Sequence, residues 1–352
     1  MTTADGPHAA DEPIDVTIVV GSYNRADMLA ETLASLTALS TESASGERFV
    51  YEVVVVDNAS TDHTQQVIEH YSRPENRGAA ARLRGFYEEQ AGVSHARNRG
   101  MAEAVGQWIA FHDDDQRAHP DWIVRLLELT GRRGVKVAGG AVHLVLPHDN
   151  TRRLAPACRV LLGEKVGWDA EQPYTRKRVP GTNNLIFHRS VIDAVGGFDT
   201  RLTNGGEDAD LYRRLRGAGY EAWYTPDAIV YHLIPPQRLG DDYMRWTATR
   251  HGEHLALREL RDWGRAKLGV MMGVRAAQAA LSYFPRWLLF TLTRQRERAL
   301  GARSLLWRSR GYLSLASRLV LHGESTDPAS DSPSDFRAGR ERLMRRGAAG
   351  AG

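Results

Sequence analysis

Cysteine is almost missing from this chain: Cys158 is the only one in 352 residues. No disulfide can form within the chain, a reducing compartment is permitted, and thiol chemistry has little to build on. Long apolar runs are also missing. The most apolar C-terminal stretch, residues 268–293, is interrupted by Arg275, Gln278 and Arg286. It therefore falls short of the roughly 18 uninterrupted apolar residues of a membrane-spanning helix. Residues 1–15 lack the basic start and apolar core of a signal peptide, so residues 1–13 are expected to be a flexible leader. A Gly-rich phosphate loop is lacking after the first apolar run, where Gly21-Ser22-Tyr23-Asn24-Arg25 holds a single glycine. No internal repeat is present.

What remains is an ordinary globular composition, 42% hydrophobic and 25% charged, with a formal net charge of +3. That small number hides an asymmetry. Residues 1–242 carry 26 Lys/Arg against 34 Asp/Glu, and residues 243–352 carry 20 against 9. An acidic body with a basic tail directs the tail toward something anionic. Residues 243–322 read as basic helices in which Trp287 and Trp307 stand among Arg286, Arg294, Arg296, Arg298, Arg303, Arg308 and Arg310. This composition suits peripheral contact with an anionic membrane surface, and equally an ordinary helical domain with a solvated basic face. No nucleic-acid-binding module is recognisable, so that partner is not expected. Residues 323–352 are rich in Ser, Pro, Asp, Gly and Arg and read as a disordered tail.

Residues 14–242 alternate short β-branched runs with helical periodicity. Strands are expected at 16–20, 51–56, 108–111, 135–142, 185–188 and 228–232. Helices are expected at 26–39, 61–71, 93–105, 120–130, 189–195 and 208–218. That alternation predicts an α/β fold with a mostly parallel, Rossmann-like sheet flanked by helices and followed by a C-terminal helical appendage. Residues 147–180 are expected to form loops around a pocket.

The run Trp108-Ile109-Ala110-Phe111 leads through His112 into Asp113, Asp114 and Asp115. Acids at the carboxyl end of such a strand stand where open α/β sheets bind ligands. Crowded carboxylates repel unless a cation is shared between them. On an extended chain Asp113 and Asp115 point to one side and Asp114 to the other, so the first two can converge on Mg²⁺ or Mn²⁺. The alternative is a solvated acidic loop.

Four strand-end features occur in order. They are Gly21 to Arg25, Asp57-Asn58-Ala59-Ser60-Thr61-Asp62, Ala96-Arg97-Asn98-Arg99-Gly100 leading to the Asp113–Asp115 acids, and Gly196-Gly197-Phe198-Asp199 followed by Gly205-Gly206-Glu207-Asp208. Together they resemble family 2 glycosyltransferases, the inverting, nucleotide-sugar-dependent enzymes of GT-A fold, over residues 14–235. The resemblance implies that Asp57 binds the nucleotide base, usually uracil, and that Ser22, Tyr23, Asn24 and Arg25 form the first nucleotide-contacting loop. It places Arg97 near the donor diphosphate and Asp113 and Asp114 against the nucleotide sugar. It makes Asp115, with Asp113 and His232, the holders of a divalent metal, and gives Asp208, beside Glu207, the role of catalytic base. Each residue also has a plainer reading. Asp57 can cap the next helix, Arg97 can be a surface ion pair, His232 can be structural, and Glu207 and Asp208 can be first-turn acids favoured by the helix dipole. Thr182, Asn183 and Asn184 are expected to line an acceptor pocket.

The chain departs from the family pattern at Gly21-Ser22, where Pro-Thr is common, at Ala59, where Gly is common, and at His112, where an apolar residue is usual. None of these removes a group the mechanism needs. Asp242-Tyr243-Met244-Arg245-Trp246 is only faintly similar to the QxxRW motif of processive synthases, because Asp replaces Gln. The resemblance implies transfer of a single sugar from a UDP-linked donor to a hydroxyl acceptor in cell-surface polysaccharide or glycolipid synthesis. A lipid-linked acceptor would place the enzyme in the cytoplasm on the inner face of the plasma membrane. The rival readings are a nucleotidyltransferase and a non-catalytic nucleotide-sugar-binding protein.

Overall fold

The structure, a computed structural model, describes residues 13–147, 154–176, 178–202 and 205–321. The expected leader up to residue 12 and the expected tail at 323–352 lie outside the described residues.

The chain opens with β1 (Val16–Ser22), α1 (Ala26–Leu36), β2 (Tyr51–Asp57) and α2 (Thr64–Ser72). It continues with β3 (Arg82–Tyr87), α3 (Val93–Glu103), β4 (Trp108–Asp113), β5 (Gln116–Ala118) and α4 (Trp122–Arg133). Next come β6 (Val137–Val145), α5 (Pro156–Leu161), β7 (Gln172–Pro173), β8 (Asn184–His188), α6 (Arg189–Val195), α7 (Glu207–Gly217) and β9 (Ala222–Leu233). Three helices end the described chain: α8 (Asp241–Gln278), α9 (Phe284–Leu292) and α10 (Arg296–Leu321).

The strands form one mixed sheet in the order β3-β2-β1-β4-β8-β6-β9-β5, with β7 paired to β9. Parallel pairing joins β3, β2, β1 and β4. Beyond β4 the direction changes: β8 is antiparallel to β4 and to β6, and β9 is antiparallel to β5 and β7. The expected parallel alternation therefore describes one half of the sheet. Apolar runs such as Leu185-Ile186-Phe187 are buried on both faces in either direction, so their composition carries no directional signal.

Side chains alternate between two cores. Val16, Ile18 and Val20 of β1 join Leu29, Leu33, Val53, Val55, Trp122 and Leu126 on one face. Val19 joins Met101, Ile109, Phe111, Phe187 and Leu211 on the other. Each such side chain contributes about 1.5–3 kcal/mol on burial, which fixes the register that the site depends on. β3 was not anticipated. Its Arg82 and Arg84 both reach the fully buried Glu52 of β2, at 2.7 and 3.0 Å. Thr17 Oγ1 donates to the same carboxylate at 2.7 Å.

The described chain divides into two compact units, one holding residues up to 143 and 165–232, the other residues 144–164 and 233 onward. The boundary expected at 242/243 falls inside α8. In the second unit α8 and α10 pack backbone to backbone. A Cβ on Gly252 would lie 2.0 Å from the Arg308 carbonyl oxygen, and one on Gly311 would lie 2.1 Å from that of Thr249. Leu255, Ala256, Leu268, Tyr312, Ala316 and Leu319 form its core. Glu259 is buried there between Tyr312 Oη at 2.5 Å and Arg275 at 3.0 Å. Among the described residues, no helix is long and apolar enough to cross a membrane.

Candidate active site

Parallel register brings the first three motifs together without further help. Ser22 pairs with Asp57 across β1 and β2, and Gly21 pairs with Asp113 across β1 and β4. The carboxyl ends of three neighbouring strands thus share one edge. The loops that follow are stitched to each other. Asn24, held at φ 50°, donates its N–H to Ser60 Oγ and accepts from the Thr61 N–H at 2.7 Å. Asp62 accepts from the N–H groups of Ala26 and Thr64, both at 3.0 Å, and so ties the starts of α1 and α2 together. Asp57 is buried and accepts from the Ser60 N–H at 2.9 Å. That bond closes a turn within the loop and does not cap α2, which begins at Thr64.

The three acids do not share one environment. Asp114 is buried and accepts from Ser22 Oγ at 2.9 Å and Arg25 Nη1 at 2.5 Å, so it braces the first loop. Asp115 is buried between Arg25 Nη1 at 3.0 Å and His232 Nε2 at 3.4 Å. Asp113 is 39% exposed and faces Arg97 Nη2 at 3.4 Å. Loss of solvation, reinforced by Asp115 and Asp114, pushes the Asp113 carboxyl above the ordinary aspartate range, against the pull of Arg97. His112 lies buried under the acids, its ring edge-on to Trp122, and burial pulls it down to about 4. It is a neutral core residue, which explains why it can stand where an apolar one is usual.

His232 owes its place to β5, a three-residue strand that the sequence did not disclose. β5 begins directly after Asp115, and its Gln116 is the register partner of His232 on β9. A divalent cation fits this pair. Ligands about 2.1 Å from an octahedral ion and adjacent to each other are separated by roughly 3 Å, close to the observed 3.4 Å. Among the described residues no three His, Cys, Asp or Glu side chains gather as a metal site. The expected set of Asp113, Asp115 and His232 is thus not assembled as a cage, because Asp113 turns to Arg97. A cation held by Asp115 and His232 would need further oxygens from a ligand.

Arg97 stands at the centre. It is buried on α3, and α3 lies close on β1 because Gly100 has no side chain: a Cβ there would meet Val19 Cγ1 at 2.2 Å. Its Nη1 reaches Glu207 Oε1 at 3.0 Å and Asp208 Oδ1 at 3.3 Å, while Nη2 reaches Asp113. Burial opposes its charge, but Asp208, Asp113 and Glu207 together hold it above the usual arginine range. Phe198 lies under the guanidinium at 5.4 Å. Asn98 fixes that ring by exchanging two hydrogen bonds with the Phe198 backbone, at 2.9 and 2.8 Å. One helix therefore joins the third motif to the fourth.

Glu207 and Asp208 begin α7, where the helix dipole favours negative charge. Burial, then the Asp208 charge, raises the Glu207 carboxyl above its ordinary range, and its Oε2 has no hydrogen-bond partner among the described residues. Asp208 is less buried. It accepts from Thr182 Oγ1 at 2.6 Å and from the Thr182 N–H at 3.3 Å. Thr182 thus lies against Asp208, and Asn183 beside it meets Lys165. Asn184 points elsewhere: it donates to the Ala141 and Ala228 carbonyls and accepts from Trp122 Nε1 at 2.8 Å, inside the sheet. Tyr23 lies half-buried in the first loop.

One residue escaped sequence reasoning. Lys165, in the stretch read as pocket loops, pairs with Val142 through two 3.0 Å backbone hydrogen bonds. Its ammonium projects toward Asn183 Oδ1 at 3.5 Å. Burial lowers its pKa below the ordinary lysine range, opposed chiefly by Asp208 and Asp113.

The site thus gathers Ser22, Asp57 and Asp113 on one strand edge, the Asp115–His232 pair beside them, and the helix-start carboxylates Glu207 and Asp208 joined to Asp113 through Arg97. Residues 17–193 match Glycosyl transferase family 2, and residues 108–321 match Glycosyl transferase family group 2. The chain belongs to glycosyltransferase family 2 and is an enzyme of that type. It is 29% identical to glycosyltransferase AglE of Haloferax volcanii over 224 residues, 63% of this chain and 67% of the relative. It is 28% identical to the succinoglycan biosynthesis protein ExoM of Rhizobium meliloti over 290 residues, 78% of this chain and 86% of the relative. Its fold is similar to that of the mannosyltransferase PcManGT from Pyrobaculum calidifontis, solved in complex with GDP-Man and Mn²⁺. That likeness has a TM-score of 0.56 over 92% of each chain at 21% identity.

Proposed function

We propose that this enzyme transfers one sugar, with inversion and divalent-metal assistance, from a UDP-linked donor to a hydroxyl acceptor in polysaccharide or glycolipid synthesis. The observation that carries the reading is the bridge from Asp113 through Arg97 to Asp208. In this reading the acid that faces the donor and the acid that faces the acceptor stand on either side of one fixed cation. The name of ExoM, a succinoglycan biosynthesis protein, supports the substrate class.

In this reading Ser22 to Arg25 and Asp57 receive the nucleotide, with Asp113 against the donor and Asp114 bracing the loop that meets it. Asp115 and His232 would hold Mn²⁺ or Mg²⁺, which supplies charge neutralisation for the departing diphosphate. Asp208 takes the proton from the acceptor hydroxyl as that oxygen attacks the anomeric carbon opposite the leaving group. Thr182 orients Asp208, and the buried Glu207 fixes Arg97.

The second unit supports a membrane-held acceptor. Leu281, Phe284, Leu288 and Leu292 recur three and four residues apart and are all exposed, beside exposed Arg286, Arg294, Arg296 and Arg298. An apolar stripe flanked by arginines is the pattern of a helix lying in an anionic interface. Such contact would hold the enzyme on the inner face of the plasma membrane, against a lipid-linked glycan. Co-sedimentation with vesicles tests it: binding that rises with anionic lipid content is expected, and equal binding to neutral vesicles would refute it.

The transfer reading is tested by thermal shift and turnover with UDP-, GDP- and dTDP-sugars in Mn²⁺, Mg²⁺ or EDTA. Metal-dependent stabilisation by one donor, lost in Asp115→Ala, is expected. No stabilisation by any nucleotide sugar would overturn the reading, and stabilisation without turnover would favour the non-catalytic nucleotide-sugar-binding protein. Nucleotidyl transfer from a nucleoside triphosphate would favour the nucleotidyltransferase rival.

A further inference from the structure

Lys165 is a cation placed in the site with too few partners. An ammonium has three donors, yet among the described residues its only hydrogen bond is the 3.5 Å contact with Asn183 Oδ1, and no carboxylate lies within 4.0 Å of it. Arg97, by contrast, reaches three acids directly. The amine occupies a slot made for it. An ideal Cβ on Gly181 would lie 1.5 Å from Lys165 Nζ and 2.6 Å from Asn183 Oδ1. Any residue with a side chain at 181 would take the space that the ammonium fills. Gly181 and Asn183, which frame the slot, flank Thr182, whose hydroxyl donates to Asp208 at 2.6 Å, so the ammonium stands beside the turn that holds that acid.

We propose that Lys165 is a specificity-determining residue that donates hydrogen bonds from its ammonium to the ring hydroxyls of the transferred sugar. This rests on the glycosyl-transfer reading above. Asp113 faces the donor diphosphate in that reading, and Asp208 faces the acceptor hydroxyl. The group that lies between diphosphate and acceptor during transfer is the sugar itself, and the Lys165 slot adjoins Thr182, the residue that holds the acceptor-side acid. A charged donor with spare hydrogen-bonding capacity favours a polyhydroxylated ring over water, because burial weakens its hydration.

The test compares binding of the nucleoside diphosphate alone with binding of the nucleotide sugar, by calorimetry in the presence of Mn²⁺. The proteins are wild type, Lys165→Met, Lys165→Arg and Gly181→Ala. Gly181→Ala keeps the lysine but expels its amine. The Gly181 backbone lies outside the left-handed region and the atoms in the way are mobile side-chain ends, so the protein can accept the methyl. Lys165→Met and Gly181→Ala are each expected to weaken nucleotide-sugar binding by roughly tenfold. Affinity for the bare diphosphate should stay within about twofold of wild type. Lys165→Arg should recover part of the loss. Equal losses for diphosphate and nucleotide sugar would overturn the assignment, as would a change confined to the KM of the acceptor. Unchanged binding in Lys165→Met would also overturn it. Failure of the wild type to bind any nucleotide sugar would instead remove the functional reading, and this assignment with it.

Discussion

The parallel and antiparallel halves of the sheet contribute to the site by different routes. In the parallel half, register alone sets Ser22, Asp57 and Asp113 side by side. Each strand runs the same way, so every carboxyl end arrives at one edge. In the antiparallel half, alternate strands present opposite ends, and each site group needs its own device. β5 carries His232 to Asp115, a single bridge to Val142 holds Lys165, and the turn before β8 offers Thr182 to Asp208. One half has a site by virtue of its direction, whereas the other was fitted to it residue by residue.

The largest test of this contrast is functional. Asp208→Asn removes the proposed acceptor-side base while keeping its shape. Turnover should fall by about 10²–10⁴ with donor affinity retained, read by steady-state kinetics beside calorimetry. A fall in donor affinity of the same size would erase the division between the halves.

Each half also has a buried polar group whose removal compares their robustness. Asn184→Ala should cost about 2–4 kcal/mol in urea unfolding, because it leaves Trp122 Nε1 and two strand carbonyls unsatisfied beside a cavity. Glu52→Gln should cost about 1.5–3 kcal/mol. The effect is smaller because Arg82 and Arg84 are 40% and 30% exposed and can turn to water. A larger loss for Glu52→Gln would show the parallel half to be the more dependent on its polar group.

The smallest effect concerns the loop stitch. Hydrogen bonds from Thr64 and Ala26 outweigh burial and hold the Asp62 carboxyl below the ordinary aspartate range. Its contribution is therefore present above the unfolded value of about 3.9 and lost as pH falls through the lower folded value. Asp62→Ala should cost about 0.5–1 kcal/mol at pH 7 and nothing once the carboxyl is protonated in both states. Urea titrations at pH 7 and pH 2.5 check this.

The same contrast explains what could be read from the chain. Strands β1 and β2 announce themselves by β-branched runs and β4 by a short apolar run, and the residues that follow them fall at strand ends whatever the tertiary detail. β3 did not, because the arginines that make it polar are matched by Glu52, thirty residues away in sequence. β5 is too short for any periodicity, and Lys165 lies in a stretch whose place is fixed only by Val142 and Gly181. The meeting of Asp113 with Arg97 rather than with Asp115 was equally hidden. Alternation on an ideal strand cannot foresee a long side chain arriving from a helix.

The glycine contact between α8 and α10 bears on insertions more than on substitutions. Gly252 faces the Arg308 carbonyl and Gly311 faces that of Thr249, so the two helices interlock at a fixed phase. One residue added within α10 ahead of Gly311 would turn everything beyond it by about 100° and carry the notch off its mate. The segment 293–295, between α9 and α10, can absorb the same residue without changing that phase. Length variation among natural versions of this chain should accordingly gather at such joints and spare the helical stretches on either side.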